Sequence, residues 1–463
     1  MKVRIGFVPC HRVPFDEEWA RDLRRRCLEA FSRIEDMEVV VPDESTTPGG
    51  LVRNDEDAEK TIKLFRDKDV DGIVIGTMTF GDEISAVSIP EAFPKVPVLL
   101  FGTKEGPFTP EGRRRSDSFC GTLSVSSGLH RRKIPFVFAG IFFPEEEGFS
   151  KKITSFLGTS LAVRNFIGAR IGLVGPRPER FETCATDESI LVGRFSQRVV
   201  PVSLLEIVAS ARSRGDEDPK VLSIVREMKD ELDCSGVPDD VLLRIAKLEL
   251  VLEDFAREKK LNGMGIQCWT AIEHEYGVVP CLAMGRITEK GIMCSCEVDI
   301  LGALTMVVQY NAALRKTVPH FIDWTIMHQE LEDVFLAWHC GNASPCLSRG
   351  KGRIMYQSVL GDMIGREKSF GTAEFQLKEG VVTLNRLVEY DGHFKMLISK
   401  GEIIPEDRDL RGAWSWVKVE DLDSLYRVLV EEGFIHHASM IHGDYAEAIA
   451  DFCKIVGIEV VMG

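Results

Sequence analysis

The first third of the chain alternates short apolar runs with segments in which apolar residues recur every three or four positions. Residues 3–8 predict a first strand, and Asp16 stands where a helix N-cap belongs. Behind Asp16 the apolar residues fall at helical spacing: Trp19, Leu23, Cys27, Phe31 and Ile34. Further strands are predicted at residues 39–41, 73–75 and 98–101. This alternation is typical of a doubly wound parallel sheet.

The same pattern restarts in the middle of the chain. Residues 149–166 form a long amphipathic stretch, and the predicted strand at residues 170–175 runs into a Gly-Pro turn. Pro238 and Asp239 open another helix, which is followed by the buried strand in LNGMGIQC. We place a domain boundary near residue 165 and predict two α/β domains, residues 1–165 and 166–312.

From about residue 320 the pattern changes to strand-like runs. Lys378-Glu379-Gly380 and Asp391-Gly392 are hairpin signals, and residues 422–430 and 444–456 have helical spacing. The predicted fold class is therefore α/β, with two doubly wound parallel-sheet domains followed by a β-rich, barrel-like C-terminal domain at residues 313–463 that includes terminal helices.

The length, charge and composition of the chain exclude several classes of protein. The 463 residues are too many for one hydrophobic core, and a net charge of −15 argues against a nucleic-acid partner. The longest apolar run, residues 134–143, is half the length needed to span a bilayer and is expected to be a buried strand. The start of the chain lacks the pattern of a signal peptide, and the twelve cysteines have irregular spacing. We expect reduced thiols, a cytoplasmic location and no membrane partner.

Local catalytic motifs are absent, including phosphate-binding glycine loops, the GxSxG elbow and HExxH. Four polar segments in apolar surroundings remain, around Glu297, Asp323, His339 and His437. The first three of these residues are separated by 26 and by 16 positions, so only the fold can bring them together. Carboxylates with imidazoles suit Mn²⁺, Mg²⁺, Co²⁺ or Fe²⁺ better than a structural zinc ion.

Taken in order, these segments resemble the L-fucose isomerase and L-arabinose isomerase superfamily. Glu297 in CEVDILGALTM fits the position of a metal ligand and acid/base catalyst, and Asp323 in FIDW fits the second carboxylate. His437 in IHHASMIHGD fits the late histidine ligand, with His436 beside it and His442 as the alternative register. The resemblance implies a metal-dependent sugar isomerase.

Further site residues follow from the same resemblance. His339 in WHCGNAS resembles a histidine ligand of the arabinose isomerase branch. Either His339 binds the metal while Asn342 faces the substrate, or His339 only donates a hydrogen bond. Gln267 and Trp269 in GIQCWT resemble a segment that lines the sugar pocket, although core packing is an equal alternative for Trp269.

The amino-terminal resemblance rests on loops at the carboxyl ends of strands. His11 and Arg12 follow the first strand, and TMTFGDE at residues 77–83 follows a later one. In the family such residues reach the active site of a neighbouring subunit. This implies a homo-oligomer with active sites near subunit interfaces and a substrate-binding role for His11 and Arg12. Exposed charged loop residues are the structural alternative.

The expected reaction is aldose–ketose isomerisation of a free, fucose- or arabinose-like sugar through an enediol. Mn²⁺ or another divalent cation would act as Lewis acid, and Glu297 and Asp323 would exchange the protons. Two alternatives stay open. The same site acts on a sugar acid, a sulfonated or phosphorylated sugar, or as an epimerase, or the protein is a non-catalytic sugar-binding or regulatory protein.

Overall fold

The computed structural model describes residues 2–463 and divides the chain into two compact units. The first unit comprises residues up to Arg164 together with Glu447–Ile458, and the second comprises Asn165–Ala446 with Glu459–Gly463. The chain therefore returns to the first unit near its end, where the hydroxyl of Thr159 donates to the carbonyl of Ala448 at 3.0 Å. No helix among residues 2–463 is long and apolar enough to cross a membrane.

The first unit is a doubly wound parallel sheet, as predicted. Its five strands are β1 (Val3–Cys10), β2 (Met37–Val40), β3 (Gly72–Thr77), β4 (Val98–Thr103) and β5 (Val137–Phe142). Its helices are α1 (Glu17–Phe31), α2 (Asp55–Lys68), α3 (Glu83–Glu91), α4 (Ser118–Arg131) and α5 (Glu147–Phe166), with a last helix at Ala446–Val456. The strand order is β2-β1-β3-β4-β5, and Asp16 caps α1 by accepting a hydrogen bond from the amide of Trp19 at 3.0 Å.

The predicted buried strand at residues 134–143 is a strand, but it is not fully buried. β5 lies at the edge of the sheet and pairs only with β4 among the described residues. The side chain of Phe138 is consequently 49% exposed. The prediction of full burial was wrong because an apolar run does not indicate which strand lies at the edge of a sheet.

The second unit begins with a four-stranded parallel sheet. Its strands are β6 (Arg170–Val174), β7 (Arg198–Val202), β8 (Gly263–Ile266) and β9 (Met293–Cys296), in the order β7-β6-β8-β9. The helices are α6 (Glu188–Phe195), α7 (Leu204–Ser213), α8 (Pro219–Glu231), α9 (Asp239–Glu258), α10 (Ala271–Tyr276), α11 (Cys281–Glu289) and α12 (Ile300–Ala312). The direction of winding reverses between β6 and β8, which makes their carboxyl ends a common place for ligands.

The same unit continues into a β barrel. Its strands and helices are β10 (His320–Met327), β11 (Val334–His339), β12 (Arg353–Tyr356), α13 (Gly361–Ile364), β13 (Phe370–Gln376), β14 (Gly380–Tyr390), β15 (His393–Ile404), β16 (Ala413–Lys418), α14 (Leu422–Glu431), β17 (His437–His442) and β18 (Glu459–Met462). The helix between β17 and β18, α15 (Ala446–Val456), is the one that belongs to the first unit. Antiparallel pairs link β10, β11, β16, β15, β14 and β17 into a closed ring. This confirms the β-rich, barrel-like part of the prediction.

The buried helix α12 joins the parallel sheet to the barrel. It packs on β8 and β9 at one side and on β14 and β17 at the other. The amide nitrogen of Gln309 donates to the carbonyls of Thr383 and Ser439, both at 3.0 Å. These bonds hold the C-terminal end of α12 against β14 and β17, and the N-terminal end of the same helix follows directly after the segment that carries Glu297.

One predicted hairpin formed and one did not. Asp391-Gly392 is the turn between β14 and β15, with Tyr390 paired to His393. Lys378-Glu379-Gly380 is not a hairpin, because β13 pairs with β12 and β16, whereas β14 pairs with β15 and β17. Closure of the barrel decided the partners of these strands.

Candidate functional site

Glu297 occupies a tight turn between β9 and α12. Both Glu297 and Val298 have left-handed backbone conformations, with φ of 56° and 60°. Such φ values are uncommon for residues other than glycine and are most unusual for a β-branched residue. Gly265 on β8 makes room for the turn, since a Cβ there would lie 2.8 Å from the carbonyl carbon of Val298. The strained backbone of this turn thus places the Glu297 carboxylate at the end of the sheet.

The fold brings Glu297, Asp323 and His437 together. Asp323 on β10 lies directly opposite His437 on β17 in the antiparallel register. Nε2 of His437 is 2.9 Å from Oε2 of Glu297 and 3.7 Å from Oδ1 of Asp323. The ligating atoms of His436 and His437 lie within 4.8 Å of Asp323 and of each other. Three residues predicted from separate segments therefore meet at one imidazole nitrogen.

One oxygen of each carboxylate in this cluster lacks a hydrogen-bond donor. Oε2 of Glu297 and Oδ1 of Asp323 are both buried and accept no hydrogen bond from residues 2–463. Burial raises the pKa of Asp323 to about 7, and the negative charges of Glu297 and Asp299 add to this effect while His437 opposes it. Burial disfavours protonation of His437, but its contacts with Asp299, Cys184 and Glu297 outweigh burial and raise the imidazole pKa well above its usual value. The cluster attracts positive charge.

Asp299 orients His437, and Arg386 in turn holds Asp299. Oδ2 of Asp299 accepts from Nδ1 of His437 at 2.8 Å, and Oδ1 caps α12 by accepting from the amide of Gly302 at 2.8 Å. The Arg386 guanidinium makes a paired interaction with the same carboxylate, with Nη2 at 3.0 Å from Oδ1, and both side chains are 1% exposed. Burial alone would raise the pKa of Asp299, but Arg386 and His437 hold it well below its usual value.

Asp299 and Arg386 were missed by the sequence analysis. Asp299 stands two positions after Glu297 in the same CEVD segment, so this motif was the signal that could have identified it. Arg386 lies 87 positions further along, in the middle of β14, and no local motif marks it.

The donor set fits a divalent cation. Two buried carboxylate oxygens without donors face the Nε2 atom of His437, whose other ring nitrogen is bound to a carboxylate. A histidine ligand commonly donates its second N–H to a carboxylate, which fixes the tautomer and leaves the other nitrogen free to ligate. Glu297, Asp323 and His437 would hold such an ion through two oxygens and one nitrogen, a set that suits Mn²⁺ and similar metals.

Trp269 contacts the cluster, whereas Gln267 lies beside a cavity. Nε1 of Trp269 donates to Oε1 of Glu297 at 2.9 Å, so the indole does more than pack in the core. Gln267 lies at the carboxyl end of β8 and borders a cavity of about 630 Å³ that Gly175 and Ser203 also line. Glu297, Asp323 and His437 are not among the residues lining that cavity.

His339 and Asn342 are buried outside the cluster. Nδ1 of His339 accepts a hydrogen bond from the amide of Cys340 at 2.9 Å, and burial lowers its pKa well below the usual value. The ring of Phe321 has its centroid 5.6 Å from that of His339 and 4.8 Å from that of His437. Both polar atoms of the Asn342 amide lack a partner among residues 2–463. Metal binding by His339 and substrate binding by Asn342 stay predictions.

The remaining histidine candidate lies elsewhere. His442 is at the far end of β17 from His437, and its Nε2 donates to the carbonyl of Lys378 at 2.8 Å. It takes part in none of the potential ligand groups among the described residues.

His11 and Arg12 lie in the first unit, at the carboxyl end of β1. Nδ1 of His11 is hydrogen-bonded to Oγ1 of Thr79 at 2.9 Å, in the loop after β3. Arg12 forms an ion pair with Glu83 and lies 4.6 Å above the ring of Phe80. The order β2-β1-β3 reverses the winding here, so the residues are placed where open α/β sheets bind ligands. Their contribution to a neighbouring subunit stays a prediction.

Comparison with known proteins agrees with this architecture. Residues 6–167 match the family model of the fucose/sulfoquinovose isomerase N-terminal domain, and residues 337–463 match that of the L-fucose isomerase C-terminal domain. The chain belongs to the fucose isomerase-like family. The segment between the two matches contains Glu297 and Asp323, whereas His437 lies in the second match.

Individual relatives extend the likeness over almost the whole chain. The sulfoquinovose isomerase of Priestia aryabhattai is 23% identical over 455 residues, which is 98% of this chain and 97% of that protein. Those of Alkalicoccus urumqiensis and Clostridium sp. (strain MSTE9) are 26% and 24% identical, over 84% and 83% of this chain and 86% and 85% of their own lengths. The chain is therefore an isomerase. The relatives favour the sulfonated-sugar alternative over the free, fucose- or arabinose-like sugar that was first expected.

Proposed function

We propose that this protein is an aldose–ketose isomerase that acts on a sulfonated sugar. The observation that carries the proposal is the convergence of Glu297, Asp323 and His437 in a chain whose full-length relatives bear the name sulfoquinovose isomerase. An aldose–ketose isomerase must remove a proton from one carbon, return it to the next and shift a proton between two oxygens. Two carboxylates beside one imidazole supply the acid and base groups for these transfers.

The proposed cofactor is a divalent cation, Mn²⁺ or else Mg²⁺, Co²⁺ or Fe²⁺. When bound by Glu297, Asp323 and His437, it would polarise the sugar carbonyl and stabilise the enediolate charge. Asp299 keeps the His437 ring in the ligating orientation through the 2.8 Å hydrogen bond to Nδ1. Arg386 keeps Asp299 ionised and in place.

The proton transfers fall to Asp323 and Glu297. Burial raises the pKa of Asp323 to about 7 in the metal-free protein, and a bound cation would favour its ionised form, which can accept a proton from the sugar and return it. Glu297 is restrained by the hydrogen bond from Trp269, which holds Oε1 and leaves Oε2 facing the cluster. The 2.9 Å contact between Trp269 and Glu297 therefore positions one carboxylate rather than contributing a proton.

A sulfonated substrate requires cations close to the site. The net charge of −15 repels anions at long range, so recognition must be local. Residues 175–186 carry two exposed arginines, Arg177 and Arg180, which have no ion pair or hydrogen bond from their side chains within residues 2–463. The same segment packs Phe181 on Trp269, with ring centroids 5.8 Å apart, and places Sγ of Cys184 3.7 Å from Nδ1 of His437. We propose that these arginines bind the sulfonate.

The test compares sulfonated and neutral sugars with chelator-treated protein. The protein is incubated in D₂O with sulfoquinovose, fucose, arabinose or glucose, with and without added Mn²⁺, and the products are followed by NMR. The expected result is Mn²⁺-dependent interconversion of sulfoquinovose and its ketose with deuterium incorporated at the carbon next to the carbonyl. Faster turnover of a neutral sugar would contradict the substrate class, and full activity in excess chelator would contradict the metal.

A further inference from the structure

Two cysteines form a close thiol pair beside Glu297. Sγ of Cys268 lies 2.7 Å from Sγ of Cys296, and all twelve cysteines of the chain are free thiols. Cys296 is the last residue of β9, and Cys268 lies two positions beyond the end of the neighbouring strand β8. Both side chains are buried. The partner of Cys296 is therefore Cys268 rather than Cys294, its neighbour in the CxC sequence.

The pair belongs to a compact group of potential ligands. The sulfur atoms of Cys268 and Cys296 and a carboxylate oxygen of Glu297 lie within 4.8 Å of one another. Two thiolates, one carboxylate and one open position form a ligand set that suits tetrahedral Zn²⁺ or Cd²⁺. Two sulfurs bound tetrahedrally to Zn²⁺ are roughly 3.8 Å apart, so the thiols must separate by about 1 Å.

We propose that Cys268, Cys296 and Glu297 form a second, thiol-rich metal site that binds a soft divalent cation. Binding replaces two S–H protons with two metal–sulfur bonds, so M²⁺ enters and two protons leave without any change in oxidation state. Since Glu297 also belongs to the oxygen and nitrogen cluster, one carboxylate serves two sites. A soft ion in the thiol site withdraws Glu297 from that cluster and inhibits the enzyme, a consequence that rests on the proposed function.

The first test detects the thiol site without measuring activity. Purified, chelator-stripped protein is kept reduced with a phosphine and titrated with Cd²⁺ while the sulfur-to-cadmium charge-transfer absorption is recorded. The expected result is saturation at one ion per chain with release of two protons, and loss of this signal in Cys268→Ser and Cys296→Ser. Cys234→Ser is the matched control, because the Cys234 thiol donates to the carbonyls of Met228 and Leu232 and belongs to none of the potential ligand groups among residues 2–463.

Several outcomes would overturn the site. No charge-transfer signal in the wild type, or an unchanged signal in both serine variants, contradicts it. Circular dichroism confirms that each variant is folded, and Cys268→Ala replaces any serine variant that does not fold. This result is independent of the proposed function, because neither sugar turnover nor Mn²⁺ binding enters the measurement.

The second test asks whether the two sites exclude each other. Protein loaded with Mn²⁺ is titrated with Cd²⁺, and released Mn²⁺ is measured by electron paramagnetic resonance. Cys268→Ser is expected to need about tenfold more Cd²⁺ than the wild type to release half of the ion, since only the direct exchange of metals remains. Equal curves, or simultaneous tight binding of both ions, would refute the sharing of Glu297. Failure of Mn²⁺ to bind at all would instead count against the proposed cofactor and leave the thiol site to the first test.

Discussion

Replacing Asp299 with asparagine tests two roles of this residue, which orients the proposed metal ligand His437 and stabilises the fold through Arg386. The Asp299 carboxylate accepts from His437 and from Arg386 and caps α12 through Gly302. An asparagine retains one acceptor oxygen, but its NH₂ group faces donors and its charge is gone. His437 therefore loses the acceptor that fixes its tautomer, and Arg386 becomes a buried cation without a counter-ion.

The two effects have different sizes. Loss of the partner that orients a histidine ligand costs about 10- to 100-fold in metal affinity, or about 1.4 to 2.7 kcal/mol. Breaking a fully buried ion pair by removing one member costs about 3 to 5 kcal/mol of stability, and both side chains here are 1% exposed. The double variant Asp299→Asn/Arg386→Met removes both charges, so it is expected to recover most of the stability but none of the lost affinity.

The assay measures Mn²⁺ affinity by calorimetry and stability of the metal-free protein by urea unfolding. The control is Asp421→Asn, which changes another helix-capping aspartate, one that accepts from the amide of Ser424 at 2.9 Å. This control is expected to bind Mn²⁺ like the wild type. A folded Asp299→Asn protein with Mn²⁺ affinity within twofold of wild type would refute the role of Asp299. Recovery of affinity in the double variant would show that Arg386, not orientation of His437, caused the loss.

Three further predictions address the carboxylates, a buried acid and the arginines. Glu297→Gln and Asp323→Asn are each expected to lower kcat by about 10²- to 10⁴-fold, while their free energies of unfolding change no more than those of ordinary point variants. Near-normal turnover in either folded variant would exclude its assigned role. Glu273 is fully buried without a partner among residues 2–463, and burial raises its pKa from 4.5 to about 8. The folded state thus holds a proton that the unfolded state releases, so stability falls as pH rises from about 4.5 to 8, by at most about 5 kcal/mol. Glu273→Gln is expected to remove this pH dependence and to be more stable than the wild type at pH 8.5, as measured by urea unfolding. If the stabilities of the two proteins change with pH in parallel, the prediction is contradicted. Arg177→Gln/Arg180→Gln is expected to raise KM for the sulfonated sugar about tenfold or more with little change in kcat, and no change in KM would exclude these arginines from sulfonate binding.

The predicted secondary structure was largely correct where local chemistry decides it. The helical spacing after Asp16 and the helix opened by Pro238-Asp239 are both present, because capping and periodicity act within a few residues. Asp391-Gly392 formed its hairpin for the same reason. The turn at Lys378–Gly380 did not, since barrel closure gave its flanking strands other partners. Sequence patterns near a turn contain no information about such distant partners.

The candidate site also could be predicted from local motifs only in part, because its assembly depends on contacts between distant segments. Glu297, Asp323 and His437 were identified from short motifs, and their meeting could not be deduced from spacings of 26 residues and more. The register of β10 against β17 sets Asp323 opposite His437, and the strained turn after β9 brings Glu297 to the same nitrogen.

Local sequence patterns were enough to predict most helices and strands, the α/β and β-rich character of the regions, and the motif residues that mark the family. Three features are visible only in the packed fold: the strands that close the barrel, the support of His437 by Asp299 and Arg386, and the pairing of Cys296 with Cys268 instead of Cys294. The physical reason is the range of the interactions. Helix caps, turns and periodic burial depend on neighbours in the chain, whereas ion pairs and ligand clusters depend on side chains that approach only after the sheets have packed.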